Sequence, residues 1–208
     1  GGDGATHAGI FDVSFLRCIP NMLIMCPSDE AECWKMLSTG YSYQGPAAIR
    51  YPRGEGPGAE ISKNFDCLEI GKANVISDVD SEIVIFSFGN VLDLSLDIAD
   101  ELNCSLIDMR FIKPLDEELI EKYAKNCKHL ISIEENVVSG GAGSAVNEFI
   151  STIGFSEKLK IFGIPDEFPI VGSQSDQRAA AGLTKKEIIR KLSMELDLEE
   201  LNKKISSQ

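Results

Sequence analysis

The sequence predicts an α/β fold: the closing part of one parallel-sheet unit over residues 1–57, a linker over 58–68, and a complete α/β unit over 69–208. Three observations carry this. Short apolar runs, too brief for helices, alternate with longer stretches that show an apolar face at helical spacing. Gly54-Glu55-Gly56-Pro57-Gly58 interrupts the chain where neither a helix nor a central strand can continue. A length of 208 residues with 43 % hydrophobic content suffices for a substantial core.

In the first unit, Met22 to Met25 reads as a strand, Ser28 as the cap of a helix through Trp34 and Leu37, and Ala47 to Arg50 as a second strand. Two strands and a helix do not close a core. Most of this unit is therefore expected upstream, and a start at Gly1-Gly2-Asp3-Gly4, without methionine, fits a piece of a longer protein. In the second unit, Ile83 to Phe88 is a buried strand ended by Gly89. Val91 to Leu102 is apolar at 91, 92, 94, 96, 98, 99 and 102, a wide helical face that Asn90 can cap. Leu106-Ile107 is a strand, and Pro114-Leu115-Asp116 opens a helix with acids in its first turn. Leu130 to Ile133 is a strand; Gly140-Gly141-Ala142-Gly143-Ser144 leads into a helix over Ala145 to Ile150. Leu159 to Ile164 is the last strand, and Thr184-Lys185-Lys186-Glu187 is a capping box opening the terminal helix. This alternation calls for a mostly parallel sheet with helices on both faces.

Charge narrows the function. Acidic residues number 33 and basic ones 20, so the net charge of −13 argues against nucleic acid as a partner. Any phosphate must be met locally, by a few arginines in a cleft. No apolar run approaches the ~20 residues of a membrane helix, and no stretch resembles a signal peptide. The cysteines at 18, 26, 33, 67, 104 and 127 show no C-x-x-C spacing, and His7 and His129 are the only histidines. Free thiols fit better than a zinc site or a disulfide framework.

Four features bear on chemistry. Gly1 to His7 is a glycine-rich turn in which Asp3 and His7 can face one space; the plain alternative is a turn with an incidental acid and histidine. Arg50-Tyr51-Pro52-Arg53-Gly54 follows a strand, where open α/β sheets bind ligands, and two arginines there can form an anion site or be surface charges. Their spacing suggests that they do not share one role. Gly140 to Gly143 precedes a helix but lacks G-x-G-x-x-G phasing and a Walker lysine, so it reads as packing, and Glu134-Glu135 beside it disfavours a bound anion. His129 reads as a structural residue at the start of a strand.

Taken together, Gly2-Asp3-Gly4-Ala5-Thr6-His7-Ala8-Gly9-Ile10-Phe11-Asp12, Cys18-Ile19-Pro20-Asn21-Met22, Pro27-Ser28-Asp29-Glu30 and Tyr51-Pro52-Arg53-Gly54 closely resemble the 1-deoxy-D-xylulose-5-phosphate synthases of the transketolase superfamily. Asp108 to Asp116, Glu134-Glu135-Asn136, Gly140 to Ser144 and Gly163-Ile164-Pro165-Asp166 extend the resemblance over about the first 180 residues. It implies the end of a pyrimidine-binding domain followed by a whole transketolase C-terminal-like domain.

The family uses thiamine diphosphate and Mg²⁺ to condense pyruvate with glyceraldehyde 3-phosphate, releasing CO₂ on the non-mevalonate route to isoprenoids, and it works as a homodimer. The resemblance further implies that His7 is the active-site histidine, Asp3 the acid on its loop, and Arg53 an arginine holding the substrate phosphate; a second such arginine lies upstream in the family. It assigns no cofactor-binding or metal-binding residue to this stretch, because the diphosphate-binding domain is absent. Gly2-Asp3-Gly4 is not the family's metal motif, since the Asn pair that follows that motif is missing here. By itself the piece is expected to be inactive, without a nucleic-acid or membrane partner, and bacterial cytoplasm is the expected location, with a plastid as the other option. The competing readings are a different thiamine-dependent enzyme of the superfamily, such as a pyruvate dehydrogenase β-like chain, and a non-catalytic module that only pairs with a partner.

Overall fold

The structure, a computed structural model, describes residues 2–155 and 159–195. Gly1 and the end of the second expected unit, 196–208, lie outside the described residues. The larger of two sheets has the order β3 (Asn74–Ser77), β5 (Ser105–Asp108), β4 (Ile83–Phe88), β7 (His129–Val137), β8 (Leu159–Ile164). All neighbours run parallel except β3, which is antiparallel to β5 at one edge. Helices cover both faces, as the alternation predicts. Val84, Phe86 and Leu130 face Ile120 and Ala124 of α4 (Glu117–Asn126) and Val146 and Ile150 of α5 (Ala142–Thr152). Ile83, Ile85, Ile131 and Ile133 pack on Ile98 and Leu102 of α3 (Leu92–Leu102) and Ile188 and Leu192 of α7 (Lys185–Glu195). The strand pleat sorts alternate residues into these two clusters.

The smaller sheet has the order β2 (Ala47–Ile49), β1 (Leu23–Met25), β6 (Phe111–Lys113). β1 and β2 are parallel, whereas β6, from the second half of the chain, is antiparallel to β1. The two halves thus share hydrogen bonds and core: Ile24, Cys26 and Val13 of α1 (Asp12–Leu16) lie in the same apolar cluster as Phe86 and Val146. A buried polar joint adds to this. Arg110 pairs with Glu32 of α2 (Glu30–Ser42) at 2.7 and 2.9 Å, and Ser28 donates to Asp108 at 2.9 Å. Burial pushes the Asp108 carboxyl up to about 6.

Two expected caps are corrected. Asp29, not Ser28, caps α2, accepting from Glu32 N, because the Ser28 hydroxyl is engaged by Asp108. Val91 is the N-cap of α3 and Asn90 makes no capping bond. The Pro114-Leu115-Asp116 segment does open α4: Asp116 is its cap, accepting from Leu119 N, and Glu117 and Glu118 stand in the first turn. The Thr184 hydroxyl does accept from Glu187 N at 3.3 Å where α7 begins. The segment expected as a linker has no regular structure and is stitched to α2 by Glu30 (to Gly58 N and Ala59 N), Trp34 (to Asn64 O) and Thr39 (to Leu68 N). Cys26, Cys104 and Cys127 are buried, whereas Cys18 and Cys67 are exposed, and no disulfide joins any of them.

Candidate active site

The three residues singled out in the sequence meet at one cavity of about 490 Å³, lined by Asp3, His7, Arg50, Arg53, Glu135 and Arg178 among others. Each arrives by a different route. Gly4 adopts a φ of +74°, a left-handed conformation open to glycine, and starts the single 3₁₀ turn Ala5–His7 that carries the histidine. His7 is exposed, with Nδ1 3.0 Å from the Thr6 hydroxyl. Arg50 and Arg53 follow β2 at the carboxyl end of a parallel pair, the position from which open α/β sheets reach ligands.

The two arginines differ, as their spacing suggests. Arg50 is 13 % exposed and committed to the protein: its Nη2 donates to the Glu135 carbonyl at 2.8 Å, and it faces the carboxylates of Glu135 and Asp12 at 3.6 and 3.7 Å. Arg53 is 77 % exposed and pairs with Asp3. Asp3 therefore sits on Arg53 and not on His7.

The loop bearing His7 is laced to the turn after β7. Val137 N donates to Ile10 O at 2.8 Å, the Ser14 hydroxyl to Ser139 O at 2.7 Å, and Arg17 to Gly140 O at 2.7 Å. Gly140 to Gly143 is a packing device, as read from the sequence. Its helix N-terminus is filled by the protein's own carboxyl group: the Glu134 oxygens accept from Ala142 N at 2.7 Å and Gly143 N at 2.8 Å. A Cβ on Gly141 would come within 2.6 Å of Val137 O, so no larger residue fits. Burial pushes the Glu134 carboxyl up to about 7, with the two amides pulling the other way.

Comparison with known proteins gives this geometry a context. Residues 71–188 match the transketolase C-terminal domain, and residues 1–58 match the transketolase pyrimidine-binding domain. The chain belongs to the transketolase family. Within that family it is 52 % identical over 183 residues to a 1-deoxy-D-xylulose-5-phosphate synthase of Hahella chejuensis, covering 88 % of this chain and 28 % of that protein. It is 49 % identical over 191 residues to the synthase of that name from Photobacterium profundum, covering 89 % and 31 %. The chain thus spans about a third of the length of these relatives. A split-gene transketolase, described as an inactive β4 tetramer, superposes with a TM-score of 0.80 at 27 % identity, covering 94 % of this chain and 64 % of that one. A transketolase from Campylobacter jejuni shares the fold, with a TM-score of 0.69 at 20 % identity over 94 % of this chain and 29 % of that one.

Sequence reasoning missed the cavity wall supplied by α6 (Gln174–Ala180). Gln174 donates its side-chain amide to the Arg53 carbonyl, and Arg178 pairs with Glu135. The signal was present: Ser173 and Asp176 form a capping box, so a helix start was legible there. Among the described residues no group of three or more His, Cys, Asp or Glu side chains is arranged to hold a metal, and no helix is long and apolar enough to cross a membrane.

Proposed function

We propose that this transketolase-family chain forms the acceptor-handling part of a 1-deoxy-D-xylulose-5-phosphate synthase, which joins pyruvate and glyceraldehyde 3-phosphate with loss of CO₂. The observation that carries the reading is the convergence of Asp3, His7 and Arg53 on one cavity, in a chain about half identical to synthases of that name.

Thiamine diphosphate, when bound, supplies the electron sink that lets pyruvate lose CO₂ and its remainder add to an aldehyde. The match of residues 1–58 to the pyrimidine-binding domain supports thiamine diphosphate as the cofactor of the complete enzyme, and the cavity residues Asp3, His7 and Arg53 suit the substrate end of such a site. The complete enzyme is read as a homodimer that uses thiamine diphosphate with Mg²⁺.

The roles follow from the geometry. Arg53 offers a planar fork to the acceptor phosphate. To do so it exchanges Asp3 for the phosphate, an exchange between exposed partners that costs little. Asp3, once released, accepts from an acceptor hydroxyl. His7 exchanges a proton with the acceptor oxygen, as a residue type suited to neutral pH. The bacterial relatives favour a cytoplasmic setting.

The test is product formation by the complete enzyme supplied with pyruvate, thiamine diphosphate and Mg²⁺. CO₂ release that depends on glyceraldehyde 3-phosphate and yields 1-deoxyxylulose 5-phosphate is expected. Turnover indifferent to the triose phosphate, with the two-carbon remainder oxidised to an acetyl thioester as a disulfide carrier is reduced, would instead mark a pyruvate dehydrogenase-like enzyme.

A further inference from the structure

We propose that Arg178 is a second anion-binding residue of the cavity, contacting the acceptor phosphate alongside Arg53; this rests on the acceptor reading above. α6 is docked on the Arg53 turn, because Gln174 donates to the Arg53 carbonyl. Arg178 lies four residues further along, on the same helix face as Gln174. It lines both the main cavity and an adjoining one of about 370 Å³ on the other side of the Tyr51-Pro52 turn.

Its guanidinium is held but not used up. Nε pairs with Glu135, whose side chain is 12 % exposed, and Nη2 donates to the Asn90 carbonyl at 3.4 Å. Nη1 makes no hydrogen bond among the described residues. Two fixed contacts with one donor group left over describe a preorganised anion contact.

Charge balance points the same way. Asp3, Asp12 and Glu135 face Arg50, Arg53 and Arg178, so the resting cavity is neutral in its ionised side chains. Arg50 lies deeper, 13 % exposed, with its charge already faced by two carboxylates, those of Glu135 and Asp12. An entering phosphate, with close to two negative charges, is met by Arg53 once Asp3 leaves, and by the unused donors of Arg178.

The experiment is calorimetric titration of the complete enzyme with glycerol 3-phosphate and with glycerol, two unreactive probes that differ in the phosphate. Arg178→Gln should weaken glycerol 3-phosphate binding about tenfold or more and leave glycerol unaffected, the usual scale for a lost charged hydrogen bond. A merely structural role would not distinguish the two probes. Arg178→Lys keeps the charge opposite Glu135 without the fork and should fall between wild type and Arg178→Gln; it carries the test if the glutamine variant does not fold. Wild-type affinity in Arg178→Gln, or in Arg178→Lys when only that variant folds, overturns the proposal. If Arg53→Gln still loses binding in that case, the acceptor reading survives. A wild-type enzyme that ignores glycerol 3-phosphate overturns both.

Discussion

Arg53→Ala separates binding of the phosphate from support of the fold, and the structure sets a magnitude for each. The guanidinium is 77 % exposed and its partner Asp3 is 42 % exposed. Exposed ion pairs contribute at most about 1 kcal/mol, so the substitution should lower the melting temperature by no more than about 4 °C for a unit of this size. The phosphate contact is worth more. A hydrogen bond between charged partners contributes about 1.5–3 kcal/mol, or roughly 10–150-fold in binding. Because the phosphate takes no part in bond making, the loss should appear in KM for glyceraldehyde 3-phosphate and leave KM for pyruvate nearly unchanged. The assay is kcat/KM for glyceraldehyde 3-phosphate divided by that for glyceraldehyde, in the complete enzyme. The wild-type ratio should fall by about 10–150-fold in Arg53→Ala and recover in part in Arg53→Lys, which restores charge without the fork. An equal loss for both aldehydes would refute the reasoning, since it would make Arg53 a support for the fold or the cofactor.

The other predictions address the remaining assignments. His7→Ala in the complete enzyme should lower kcat by about 10²–10⁴-fold, the range for a positioned proton-transfer group; a near-normal kcat would make the histidine structural. The 208-residue chain alone should release no CO₂ from pyruvate with glyceraldehyde 3-phosphate, thiamine diphosphate and Mg²⁺, because it spans only about a third of the length of its synthase relatives; clear turnover would contradict this. Glu134 has a folded-state value of about 7 against an ordinary 4.5, so its contribution is fully present below pH 4.5 and is lost as the pH rises through 7, by about 3 kcal/mol in all. The stability difference between wild type and Glu134→Gln, followed by urea melts from pH 4 to pH 8, should therefore shift against the wild type over that window. A difference that does not vary with pH would mean that the carboxyl is not buried as described.

The alternation of strands and helices was legible in the sequence because it is a local property: the runs Ile83–Phe88 and Leu159–Ile164 match β4 and β8 as expected. The resemblance put His7, Asp3 and Arg53 forward in the same way, through short motifs. Tertiary structure decided the rest. Phe111–Lys113 is a strand because β1 lies alongside it, a partner more than 80 residues away that no local pattern announces. Ser28 has the right residue type for a cap and loses that role to a bond with Asp108, 80 residues on. Glu134 and Glu135 are neighbours of one kind in sequence. The pleat turns the first to the N-terminus of α5 and the second to the arginines of the cavity, so one anchors a helix and the other holds Arg50 and Arg178. Helix α6 reaches Arg53 only because the chain folds 121 residues back on itself, which is why that part of the cavity wall could not be read from the motifs. Residue type and spacing determine which groups are available for chemistry, and long-range packing determines which of them meet.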